Sequence, residues 1–87
     1  MELIGRISVG NGHAADYAFD VIVMFNKGYR RVVVKGKGDR ISKAVVVTNL
    51  VKDRMGSAVR IADIRIGSED RKGRLVSFIE IELERTV

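Results

Sequence analysis

The chain has 87 residues, no cysteine, no proline and a formal net charge of +5, with charged residues making up 31% of it. The missing cysteine excludes a disulfide, a thiolate metal site and a cysteine nucleophile. At this length one domain spanning 1–87 is expected, and a core so small calls for idealised packing or a second copy of the chain.

Residues 3–9, "LIGRISV", are short and rich in branched apolar side chains, which predicts a strand ending at Gly10-Asn11-Gly12. From Ala14 to Asn26, Ala14, Tyr17, Ala18, Val21, Met24 and Phe25 recur at helical spacing, with Asp16 and Asp20 on the polar side and Gly28 as the stop. "RRVVVK", apolar on both faces, reads as a central strand of a partly parallel sheet. The β-branched run "AVVVTNLV" favours a strand by propensity. Its apolar period favours a helix: Ile41, Ala44, Val45, Thr48, Val51 and Met55 form a stripe from about Arg40 to a stop at Gly56. Asp39 is placed to cap that helix through its carboxylate. "VRIADIRI" and "VSFIEIELE" follow as two strands, the second with Ile79, Ile81 and Leu83 on one side and Glu80, Glu82 and Glu84 on the other. "GSEDRKGR" joins them as a polar turn with a basic tip. The order β-α-β-α-β-β predicts an α+β two-layer sandwich, a four-stranded mixed sheet with both helices on one face.

Enzymatic chemistry finds no support in this pattern. Gly36-Lys37 follows a strand and precedes a helix, but Gly38 stands where a phosphate-binding loop needs Ser or Thr, and the third glycine of a dinucleotide fingerprint is absent. No cofactor is therefore expected. His13 is the sole histidine and reads as a helix-start or surface residue, so no metal site is expected either. Ser42 and Ser77 lack an activating base, and the three glutamates read as a solvated face able to pair with basic neighbours. Tyr17, Phe19, Phe25 and Phe78 read as core, with Tyr29 near the basic loop. No apolar run reaches membrane-span length and "MELIGRISVG" is not a signal peptide, so a soluble, cytoplasmic protein is expected. Abundant charge with no glutamine leans towards a thermophilic source.

Charge is unevenly spread: residues 29–43 alone sum to +5. Lys35, Lys37, Arg40 and Lys43 surround a glycine-flanked turn at a helix start, where unpaired backbone N–H groups favour phosphate. Arg71, Lys72 and Arg74 form a second basic group at the hairpin tip. Together these seven are the candidate nucleic-acid-binding residues, and because DNA and RNA share the same phosphate charge, both stand as ligands.

"VVVKGKGDRISKAVVVTNLVKDRM" resembles the signature of the Alba family of archaeal DNA- and RNA-binding chromatin proteins, matching at Val34, Lys35, Gly38, Ile41, Ser42, Lys43, Ala44 and Val45. "DVIVMFNKG" and "GSEDRKGRLVSFIEIELER" are most similar to the second paralogue of that family in thermophilic archaea. The resemblance implies the β-α-β-α-β-β fold, a homodimer or a heterodimer with another Alba chain, and binding of double-stranded DNA and RNA with little sequence preference. It places the protein on the chromosome, with the hairpins as two arms and the loop before the second helix on the nucleic-acid side. A role as an RNA-binding or protein-interaction subunit of a ribonucleoprotein such as an RNase P-like particle is the alternative. Asn11 and Gly12 stand where some family members carry a Lys-Lys pair, so acetylation control does not carry over. Asp39 interrupts the basic loop, the hairpin tip is shorter than in the longest members, and Met55 replaces a Phe used elsewhere for dimer-to-dimer contact.

Overall fold

A computed structural model describes residues 3–87. Strand β1 (Ile4–Ser8) leads into helix α1 (Ala14–Asn26), strand β2 (Arg31–Lys37), helix α2 (Ile41–Met55), and the long strands β3 (Val59–Arg71) and β4 (Arg74–Arg85). The sheet order is β1-β2-β4-β3, with β1 parallel to β2 and the other pairs antiparallel. The parallel pair is possible because α1 provides the crossover between its strands. The mixed four-stranded sheet and element order expected from the sequence are thus present.

Alternation along the inner strands explains why the core forms on one side. Val32 and Val34 on β2 and Ile79, Ile81 and Leu83 on β4 face the helices, where they meet Ala18, Val21 and Phe25 of α1 and Ala44, Val47 and Val51 of α2. Burying each of the larger of these side chains contributes about 1.5–3 kcal/mol relative to exposure. Thr48, the one buried polar side chain among the described residues, donates its hydroxyl proton to the Ala44 carbonyl at 2.9 Å.

Four local expectations are corrected. The core stripe of α2 uses Val47, while Val45 is 40% exposed, because the helix turns its 44–47–48–51 side to the sheet. Phe19 lies off the Ala18–Val21–Phe25 stripe and is 65% exposed, and Phe78 takes the solvent side of β4 because its neighbour Ile79 takes the core side. Tyr29 packs beside Gly5 and Met24 at the far end of β1 from the basic loop. The turn between β3 and β4 contains only Lys72 and Gly73, since the ladder runs on to Arg71↔Arg74.

The opposite sheet face carries charge. Glu80, Glu82 and Glu84 alternate along β4 between basic residues of the flanking strands, with Arg31 Nε 3.2 Å and Arg60 Nη2 2.7 Å from Glu84 and Arg65 Nε 3.3 Å from Glu80. The pairing expected for these glutamates is realised but the solvated face is not: their side chains are only 17–19% exposed under the flanking basic residues, and the buried Val33 on the same face lies among the ion pairs.

Candidate nucleic-acid interface

The basic site begins where β2 passes into α2. Gly36 is buried, and a Cβ there would stand 2.5 Å from the Arg40 carbonyl oxygen and 2.9 Å from Ala44 Cβ. Its bare backbone lets α2 start directly against the strand. Gly38, Asp39 and Arg40 form a single 3-10 turn, so α2 begins at Ile41 with Arg40 in the cap position and no side-chain cap. The capping role expected of Asp39 is therefore not realised: the turn carries its carboxylate into solvent.

Lys35, Lys37, Arg40 and Arg71 converge on one pocket of about 250 Å³, together with Ser8 and Val9. Three elements contribute. β2 presents Lys35 and Lys37 on its solvent face, the 3-10 turn presents Arg40, and the end of β3 presents Arg71. The remaining three predicted residues lie elsewhere. Lys43, in the first turn of α2, donates to the carbonyls of Gly10 at 3.0 Å and Gly12 at 2.8 Å, bracing the loop after β1. Tyr17 holds the same loop by accepting from the Gly10 and Gly12 N–H groups at 3.0 and 3.1 Å. Lys72 and Arg74 are exposed at the hairpin tip.

Several residues of the site were not singled out by sequence. Glu69 on β3 reaches Lys35 Nζ at 2.8 Å and Lys37 Nζ at 3.3 Å, and lies 3.8 Å from Arg71 Nε. The hydrogen bonds from Lys35 and then Lys37 hold its carboxyl below the usual carboxylate range, against a smaller opposing effect of desolvation. Asn11 accepts from the Arg40 guanidinium. The Lys35 ammonium also lies 4.8 Å from the centre of the Phe78 ring, a cation–π distance. The available signal was alternation: once β3 extends past Ile66, Glu69 and Arg71 fall on the same face as Arg65.

Chemically the pocket is a polyvalent cation of mixed lysine and arginine with a serine hydroxyl at its edge, suited to tetrahedral oxyanions. Among the described residues no cluster of His, Cys, Asp and Glu is arranged to hold a metal ion. No helix among them is long and apolar enough to cross a membrane.

The sequence model of the Alba family matches residues 5–68. DNA/RNA-binding protein Alba 2 of Saccharolobus solfataricus is 47% identical over 70 residues, 80% of this chain and 79% of that protein. DNA/RNA-binding protein Alba of Pyrobaculum neutrophilum is 39% identical over 84 residues, 90% of this chain and 91% of that protein. The solved structure of Alba from Thermoplasma volcanium superposes with a TM-score of 0.85 at 30% identity, covering 93% of this chain and all of that one. The β-α-β-α-β-β fold, the basic loop after β2 and these likenesses agree: the chain belongs to the Alba family.

Proposed function

We propose that this protein binds double-stranded DNA and RNA through backbone phosphates with little sequence preference, as an architectural protein of archaeal chromatin. The observation that carries the reading is the meeting of Lys35, Lys37, Arg40 and Arg71 around one pocket from three separate elements. A phosphate entering there meets cations on several sides, and backbone contacts of this kind carry no base information. The similar proteins of Saccharolobus solfataricus and Pyrobaculum neutrophilum bear names for DNA and RNA binding, which supports a binding role for the whole chain, 1–87.

The working unit in this reading is a homodimer at the chromosome. Ile64, Ile66 and Leu75 project to the helix side of the β3–β4 ladder, at 53%, 79% and 79% exposure, and Val45 of α2 is also open. A second copy covering these apolar side chains would bury surface that one small core leaves in water. It would also double the sites, so that two pockets and two hairpin tips, with Lys72 and Arg74, follow the two sides of a groove.

The test is the salt dependence of duplex binding. If a dimer neutralises roughly six to ten phosphates, log affinity falls against log salt with a slope of about −5 to −9. A slope near zero overturns the proposal. Competition between duplex DNA, duplex RNA and single strands at one salt concentration ranks the ligands.

A further inference from the structure

We propose that Glu69 is a built-in competitor of phosphate: carried on the β3 arm, its carboxylate occupies the lysines that a nucleic-acid phosphate would neutralise and thereby limits the affinity of the site. The inference rests on the phosphate-binding reading above and adds to it a device that sets its strength.

The geometry is that of a substitute ligand. One oxygen of Glu69 lies 2.8 Å from Lys35 Nζ, the other 3.3 Å from Lys37 Nζ, and the second oxygen is also the one nearest Arg71 Nε, at 3.8 Å. Lys35, Lys37 and Arg71 are three of the four cations around the pocket. A phosphodiester, like a carboxylate, is a monoanion presenting two oxygens in a fork, so the two compete for the same donors with similar charge and reach. Glu80 shares Lys35 at 3.7 Å, but it is also held by Arg65 at 3.3 Å in the next strand. Glu69 is thus the carboxylate that faces the pocket cations alone. Its side chain is 31% exposed and stands opposite the apolar Val76, so it can swing to solvent without leaving a buried charge behind. Its ionisation persists into acid because the lysines stabilise the charged form.

Two consequences can be measured. Lysines shared with Glu69 neutralise phosphate less completely, so fewer of the cations condensed on the nucleic acid are released on binding. Removing the carboxylate should therefore steepen the salt slope by about 1–2 per protomer. It should also tighten binding roughly 3- to 10-fold near 0.1 M salt, as expected for freeing the two partly exposed lysine pairs of Glu69 in each protomer.

The experiment compares wild type, Glu69→Gln, Glu69→Ala and Asp53→Asn on a mixed-sequence duplex DNA and on long-chain inorganic polyphosphate across a salt series. Asp53 lies at the far end of α2 from the pocket and its change adds the same charge. Melting curves confirm that each variant is folded. Both Glu69 variants tightening both ligands beyond Asp53→Asn, with steeper slopes, is the expected result. Variants equal to Asp53→Asn overturn the inference, because the carboxylate then leaves at no cost. Weaker binding by both also overturns it, because Glu69 then orients the lysines for phosphate. Failure of wild type on duplex, with polyphosphate still tightened by the Glu69 variants, defeats the nucleic-acid reading and leaves the role of Glu69 standing.

Discussion

Gly36 and Arg40 meet where β2 gives way to α2, and a methyl group on Gly36 would lie 2.5 Å from the Arg40 carbonyl oxygen. Gly36→Ala should therefore cost about 1–3 kcal/mol by overpacking and shift Arg40 with the helix start, read as a lower denaturant midpoint together with weaker duplex binding. The four cations of the first basic group divide by what they touch. Lys37→Ala and Arg40→Ala should weaken binding to all duplex sequences alike with little change in melting temperature, since phosphate contacts supply affinity without readout. Lys43→Ala should lower stability by about 1 kcal/mol as well, because its ammonium braces two backbone carbonyls of the preceding loop. Unchanged melting of that variant would count against the bracing role. Residue type and spacing made the cations legible in the sequence, because a basic cluster at a helix start is a local feature. Glu69 was not legible: its meeting with Lys35 spans 34 positions and depends on how far the β3–β4 ladder extends. Asp39 misled for the opposite reason, since one 3-10 turn interposed before α2 is enough to move a cap out of place.

Among the elements, α2 shows periodicity prevailing over propensity. Its valines favour a strand individually, yet Ala44, Val47, Thr48 and Val51 are buried at helical spacing, and a two-layer fold needs that face. The same valines hid which stripe was inside, because apolar residues at 45, 46 and 47 fit more than one helical face. The hairpin was misjudged in length. Ser68 to Arg71 read as loop because they are polar, but here Ser68 and Asp70 on one side are open to water and Glu69 on the other makes ion pairs, so the ladder needs no apolar alternation. Its end is made by two residues with positive φ, Lys72 at 53° and Gly73 at 81°, with Asp70 Oδ1 accepting from the Gly73 N–H at 2.9 Å. This is the backbone pattern of a two-residue hairpin turn, matched to strand twist. Gly73→Val places a β-branched residue in that region at a cost of about 1–3 kcal/mol. Amide exchange should accelerate from 68 to 76 and remain slow in α1 and β2, whereas uniform acceleration would mean that arm and body unfold together.

At the scale of the whole molecule, the charged sheet face links stability to pH. Glu84 is held below the ordinary carboxylate range chiefly by its hydrogen bond from Arg60, with Arg31 adding to it, as Glu69 is by Lys35 and then Lys37. For a carboxyl lowered in the folded state, stabilisation is fully present above its unfolded value and is lost as pH falls through the folded one. Stability should therefore decline on acidification from about pH 5 downward, and Glu69→Gln and Glu84→Gln should each flatten that decline in denaturant titrations at successive pH values. Equal acid sensitivity in both variants and wild type would remove these pairs as its source. Melting temperature should also rise with protein concentration if two copies close over Ile64, Ile66 and Leu75, because mass action favours the associated state.

Strand β3 lies at the margin of the sheet and runs for 13 residues, so one whole row of its backbone donors and acceptors has no fifth strand to meet. Edges of that length are templates for ribbon growth between molecules. The irregularity between Ile61 and Asp63 changes this. By inserting Ala62 without a partner, it breaks the repeat that a neighbouring edge would have to follow, and Arg60, Asp63 and Arg65 crowd charge beside it. A single unpaired alanine thus interrupts the longest open edge of the sheet at a point where a regular ladder would otherwise offer itself for pairing.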